Sequence, residues 1–121
     1  MRLPRTFSMN QRSDFERVKK TGQAKAGRFV ILSTLPDPAL PTIRTGFITT
    51  RRSGKAHDRN LLRRRFRAIV QTHAPSFGDI RRYLVTIARP GAAQASFEDL
   101  EADWLRQARR LGLFPRPEEK S

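Results

Sequence analysis

No cysteine occurs in the 121 residues. That absence removes disulfide staples, thiolate metal sites and cysteine nucleophiles together, and it agrees with a reducing compartment. Acids are scarce as well, with 11 Asp and Glu against 25 Lys and Arg, a formal net charge of +14. An excess of that size favours RNA, DNA or an anionic surface as partner. Long apolar runs are missing. No stretch approaches the roughly 18 residues of a membrane span, and Met1-Arg2-Leu3-Pro4-Arg5 is basic without the apolar segment of a signal peptide. The expected compartment is therefore the cytoplasm, with no membrane partner. HExxH, a phosphate-binding glycine loop and close acid pairs outside helix caps are all lacking, so the expectation is no catalytic residue and no metal ligand in the polypeptide. Glu98, Asp99, Glu101 and Asp103 crowd the first turns of a helix, where the helix dipole explains acids better than a cation site does.

The basic charge that is present is concentrated. Residues 51 to 67 carry eight Lys and Arg against the single acid Asp58, a net +7, which is half the charge of the chain. Read as a turn at Gly54 and a helix from Asp58 to about Thr72, with Asp58 as N-cap, the stretch sets Arg59, Arg63 and Arg67 in one row flanked by Asn60 and Arg64. Leu62, Phe66, Ile69, Val70 and His73 fall on a neighbouring apolar arc, so the helix can pack inward and still present the row. A solvated helix face normally intersperses acids at four-residue spacing, yet none occurs between Arg59 and Thr72. Guanidinium groups are permanently charged forked donors suited to phosphate, and neutralising phosphates releases counterions. The row reads as a nucleic-acid interface. His57 reads as a solvated turn residue and His73 as a satisfied, partly buried one.

Around that helix the pattern is mixed α and β within one domain, residues 1–114, followed by a disordered tail, 115–121. A short helix spans 10–20, with Asn10 and Ser13 as cap candidates and Gly22 as its stop. Strands occupy 28–35 and 42–50, joined through the proline-rich 36–41 as a hairpin, and Gly46 marks a bulge or a close backbone approach. A strand at 79–88 pairs parallel to the preceding one, making a βαβ unit. The last helix covers 96–111 and buries Phe97, Leu100, Trp104, Ala108 and Leu111. Phe15 on the first helix and outward residues of the strand near Phe29 and Ile31 could border a groove where unpaired bases stack. Alternation alone leaves open whether Phe29 and Ile31 or Val30 and Leu32 face outward.

Gly54-Lys55-Ala56-x-x-Arg59-Asn60-x-x-Arg63-Arg64-x-x-Arg67, preceded by Arg51 and Arg52, resembles the basic RNR motif of the bacterial ribonuclease P protein subunit. Asp14-Phe15-x-x-Val18 with Gly22, the strand starting Arg28-Phe29-Val30, and Tyr83-Leu84-Val85-Thr86-Ile87-Ala88-Arg89 are similar to that family in order and spacing, over residues 3 to 111. The resemblance implies an α+β two-layer sandwich in the order α-β-β-β-α-β-α, with the left-handed βαβ crossover of a ribosomal-protein-like domain. It also implies an accessory subunit of a magnesium-using RNA catalyst that removes the 5′ leader of precursor tRNA, with no cofactor on the protein and no protein partner. Carried onto this chain, Arg51, Arg52, Lys55, Arg59, Asn60, Arg63, Arg64 and Arg67 become the contacts to the catalytic RNA. Phe15, Lys19, Phe29 and Ile31 become the leader-binding cleft. Lys19 stands where a second cleft aromatic is common, and His57 where many members carry an apolar residue. The rival expectation is a ribosomal or RNA-chaperone protein using the same arginine-rich helix.

Overall fold

The computed structural model describes Met9 and residues 12–115. The elements are α1 (Arg12–Thr21), β1 (Gln23–Ala26), β2 (Val30–Pro36), β3 (Arg44–Ile48), α2 (Ala56–His73), β4 (Arg82–Ala88) and α3 (Phe97–Arg110). The four strands form one sheet in the order β1-β2-β4-β3. β1 pairs antiparallel with β2 and β2 antiparallel with β4, whereas β3 and β4 are parallel and joined through α2.

Three sequence expectations are corrected by this topology. β2 and β3 are not a hairpin, because β4 inserts between them and takes the facing hydrogen bonds of both. The chain's hairpin is instead β1–β2, and β1 was not expected from its residues, since Gln-Ala-Lys-Ala is polar, small and exposed at every position. Asp58 is not the N-cap of α2. The helix begins one turn earlier, with Lys55 at the cap, and the Asp58 carboxylate reaches back to accept the Lys55 backbone N–H at 3.2 Å. Such a carboxylate one turn in still satisfies a free N–H and complements the helix dipole. Ser13 likewise lies inside α1 and not before it. Asn10 and the tail beyond Pro115 fall outside the described residues.

Strand parity decides which layer each side chain enters. Val30, Leu32, Leu84 and Ala88 face α2 and α3 and meet Leu62, Phe66, Ile69, Val70, Leu100, Trp104 and Ala108 in the main core. Trp104 is fully buried, and its indole N–H donates to Thr86 Oγ1 at 3.2 Å, so the ring fills the core without an unpaired donor. His73 closes the end of α2 onto α3, with Nε2 2.8 Å from Glu101 Oε2 and its ring stacked on Trp104.

The opposite sheet face carries a smaller core in which Val18 of α1, Tyr83, Val85 and Met9 are buried. No helix among the described residues is long and apolar enough to cross a membrane.

Candidate nucleic-acid interface

The basic segment is built as a rigid corner. Arg51–Ser53 make one tight helical turn after β3. Gly54 follows at φ +123°, a conformation that side chains disfavour, and a Cβ there would lie 2.7 Å from Asp58 Oδ2. Glycine therefore allows the chain to double back beneath its own carboxylate and start α2 directly. Leu62, Phe66, Ile69 and Val70 are buried, so α2 is clamped by its apolar arc while the arginine row stands beside it.

Each cation in the row is positioned differently. The Asn60 side-chain carbonyl accepts from Arg63 Nη1 at 3.1 Å, and Arg67 lies 5.8 Å from the Phe47 ring, which itself stacks on Phe66. Arg59 is half-buried, with its Nε inside the protein. Arg65 turns away from the row and donates to the Ala95 carbonyl at 3.0 Å, pinning α2 to the turn before α3. Among the described residues, no carboxylate lies within ion-pair distance of Arg51, Arg52, Lys55, Arg59, Arg63, Arg64 or Arg67. Seven cations on one corner against the single carboxylate of Asp58 repel one another, and a polyanion relieves that repulsion.

A groove runs across the other face of the sheet. The register aligns Gly46, Val85, Ser33 and Ala24 in one row beneath α1, and Ile48, Ile87, Ile31 and Ala26 in the next, where the three isoleucines are only partly buried and Ala26 is exposed. One side holds a cavity of about 390 Å³ lined by Arg12, Phe15, Lys19, Ser33, Ile48 and Ile87 among others. Beyond Ile31 a second hollow, about 440 Å³, is rimmed by Arg51, Arg52 and Arg89. An aliphatic floor thus lies between a helix wall bearing an aromatic and a lysine and a rim of guanidinium groups. Arg51 and Arg52 belong to both the rim and the α2 corner.

Gly46 is a close approach and not a bulge: the Phe15 ring lies directly on it, where a Cβ would sit 2.5 Å from a ring carbon. Even alanine must displace the ring. Gly46→Ala is therefore expected to lower the affinity of a short single-stranded RNA about tenfold, on the scale of one stacked base, while binding of folded RNA through α2 stays within twofold. Filter binding of the two RNAs side by side checks it.

Of the proposed cleft residues, Phe15 and Lys19 line the groove and Ile31 lies on its floor row. Phe29 does not. Its N–H and that of Val30 both donate to Asp103 Oδ2, at 2.8 and 3.1 Å, which draws the start of β2 towards α3 and packs Phe29 against the main core. The groove also contains Arg12 and Arg89, which the sequence reading passed over. Arg89 Nη1 donates to the Gly27 carbonyl at 2.6 Å, fixing the guanidinium at the rim. Its signal was a lone arginine closing β4 just before Pro90-Gly91. Among the described residues no three His, Asp or Glu converge where they could hold a metal ion.

Comparison with known proteins adds relatives to this geometry. A family model described as Ribonuclease P matches residues 3–112. The ribonuclease P protein component of Chloroflexus aggregans is 35% identical over 116 residues, covering 96% of this chain and 85% of that one. The component of Acidothermus cellulolyticus is 38% identical over 111 residues, covering 90% and 91%. The RNase P protein of Staphylococcus aureus superposes with a TM-score of 0.82 at 20% identity, over 90% of this chain and 98% of that one. The protein from Thermotoga maritima superposes with a TM-score of 0.73 at 20% identity, over 90% and 98%.

Proposed function

Because the chain belongs to the ribonuclease P protein family, we propose that it is the accessory subunit of a ribonuclease P whose RNA performs the cleavage. Its role lies in tRNA 5′ processing. The observation that carries the finer reading is the shared corner at Arg51 and Arg52, which borders the α2 row on one side and the groove on the other. In this reading the α2 corner holds folded catalytic RNA, and the groove holds the single-stranded 5′ leader of the precursor.

The chemistry divides accordingly. Arg59, Arg63, Arg64 and Arg67 answer the dense phosphates of a folded RNA, with Asn60 orienting Arg63. Phe15 offers a face for one unstacked base, and Ile48, Ile87 and Ile31 offer an aliphatic floor to the next. Lys19, at the groove wall, supplies a cation where a second aromatic would have stacked. The polypeptide thereby raises affinity for a precursor bearing a leader and neutralises phosphate repulsion, which lowers the need for magnesium. No side chain is assigned to the scissile bond.

The test is cleavage of a leader-bearing precursor tRNA at low magnesium by a bacterial ribonuclease P RNA, with and without the protein, and by the protein alone. Stimulation is expected only when both partners are present, and it should fall at least tenfold with Arg64→Ala or Asn60→Ala. Tight RNA binding without stimulation would point to a ribosomal or chaperone role instead. Cleavage by the protein alone would overturn the assignment of catalysis to RNA.

A further inference from the structure

We infer that the protein carries a second RNA-contacting surface, at the β1–β2 hairpin and the far side of α3, which holds another part of the folded RNA bound by α2. The inference rests on the reading of the chain as an RNA-binding subunit. It concerns residues outside both the α2 corner and the groove.

Register places Lys25 opposite Leu32, so its side chain leaves the sheet on the face that carries α2 and α3 and not on the groove face. Arg28 follows in the hairpin turn, with its guanidinium 5.2 Å from the centre of the half-buried Phe29 ring. On α3 the positions beside this hairpin are 99, 102, 103 and 106, which share a depression with Arg28 and Phe29, and 107, whose amide lies against Gly27. Arg28 and Arg106 line a common depression of about 240 Å³ with Phe29, Asp99 and Asp103. Arg110 donates to Gln107 Oε1 at 2.8 Å, while Gln107 Nε2 donates to Asp103 Oδ1 at 3.2 Å. The buried pair that secures the start of β2 therefore also fixes the direction of Arg110.

The charges do not cancel locally. Asp103 is 8% exposed and spends its carboxylate on two backbone N–H groups and Gln107, so it is unavailable to the cations. Asp99 lines the same depression, about two turns before Arg106 along α3, so the four cations Lys25, Arg28, Arg106 and Arg110 outnumber the two acids Asp99 and Asp103 without being fully balanced by them. Among the described residues, Lys25, Arg28, Arg106 and Arg110 have no carboxylate at ion-pair distance. Arg28 and Arg106 beside a partly exposed aromatic ring, with Lys25 on the adjoining strand and Arg110 one turn further along α3, match a sugar-phosphate strand with an accessible base.

Position selects the RNA. The hairpin is at the β1 edge and the α2 row is over β3, three strand spacings away, or about 14 Å across the sheet. Both lie on the same face. The groove opens on the opposite face, so a leader lying in it does not reach the patch. One folded RNA laid along α2 and continuing past α3 does.

The experiment compares Arg28→Gln/Arg106→Gln/Arg110→Gln with an α2 control, Arg63→Gln/Arg64→Gln/Arg67→Gln. Each is titrated against full-length bacterial ribonuclease P RNA and against a short single-stranded leader oligonucleotide, over a series of salt concentrations. For the full-length RNA, the hairpin variant should bind about tenfold more weakly and lose about 2 from the slope of log affinity against log salt, at 0.7–0.9 per contact. Leader binding should be unchanged. Hydrogen exchange on the unaltered protein supplies a readout that needs no variant, since amides of residues 24–28 should slow when the full-length RNA binds. An unchanged slope, or amides that exchange equally fast with and without RNA, would overturn the second surface. The proposed function would survive that result as long as the α2 control still lost affinity.

Discussion

Replacing Arg63, Arg64 and Arg67 together by alanine should weaken binding of ribonuclease P RNA by about 10³, taking about 1.5 kcal/mol for each charge-assisted contact and tenfold per 1.4 kcal/mol. Loss of affinity alone would be consistent with a disturbed fold, so the discriminating quantity is its salt dependence. With six to eight phosphates neutralised, the intact protein should give a slope near −5 to −7, and the triple variant a slope shallower by about 2 to 3. Stability should hold or rise, because the substitutions remove self-repulsion from a face whose buried arc is untouched. A variant that keeps the full slope while losing affinity would mean that the row acts through shape and not through phosphate. Fluorescence titrations at five salt concentrations, with a melting curve for each protein, decide between these.

The second large effect is on folding. Asp103→Ala should lower stability by about 3 to 5 kcal/mol, since it strands the Phe29 and Val30 N–H groups and the Gln107 amide, at about 1 to 3 kcal/mol for each buried unpaired group. Asp103→Asn retains an acceptor oxygen and should cost less than half as much. Urea titrations of the three proteins at pH 7 measure both statements. Equal midpoints for Asp103→Ala and the parent would show that water replaces the carboxylate at no cost.

Much of the architecture could be read from particular residues. The periodicity of Leu62, Phe66, Ile69 and Val70 identified the buried side of α2, and the missing acids beside it marked the basic corner whose cations make no ion pair among the described residues. Trp104 and Leu100 declared the core side of α3 through simple spacing. What escaped depends on partners distant in sequence. β1 has no apolar alternation and is a strand only because β2 lies beside it. Phe29 shares parity with Ile31, yet an acid 74 residues away captures its backbone and removes it from the groove. Parity could not choose between the strand faces until α1 was placed, and that placement depends on Gly46 accepting the Phe15 ring. Asp58 had the right chemistry for a cap, but the carboxylate reaches back far enough to serve a helix that starts earlier.

The insertion of β4 between β2 and β3 also orders events in time. Neither β2 nor β3 gains its shared neighbour until the chain has been made as far as residue 88, and among the described residues β1–β2 is the one strand pair available before then. Sheet closure is consequently a late, long-range step, of the kind that slows folding. The strongly basic α2 leaves the ribosome before the strand that completes its platform. A nascent chain at that stage has its cations made and its core unfinished.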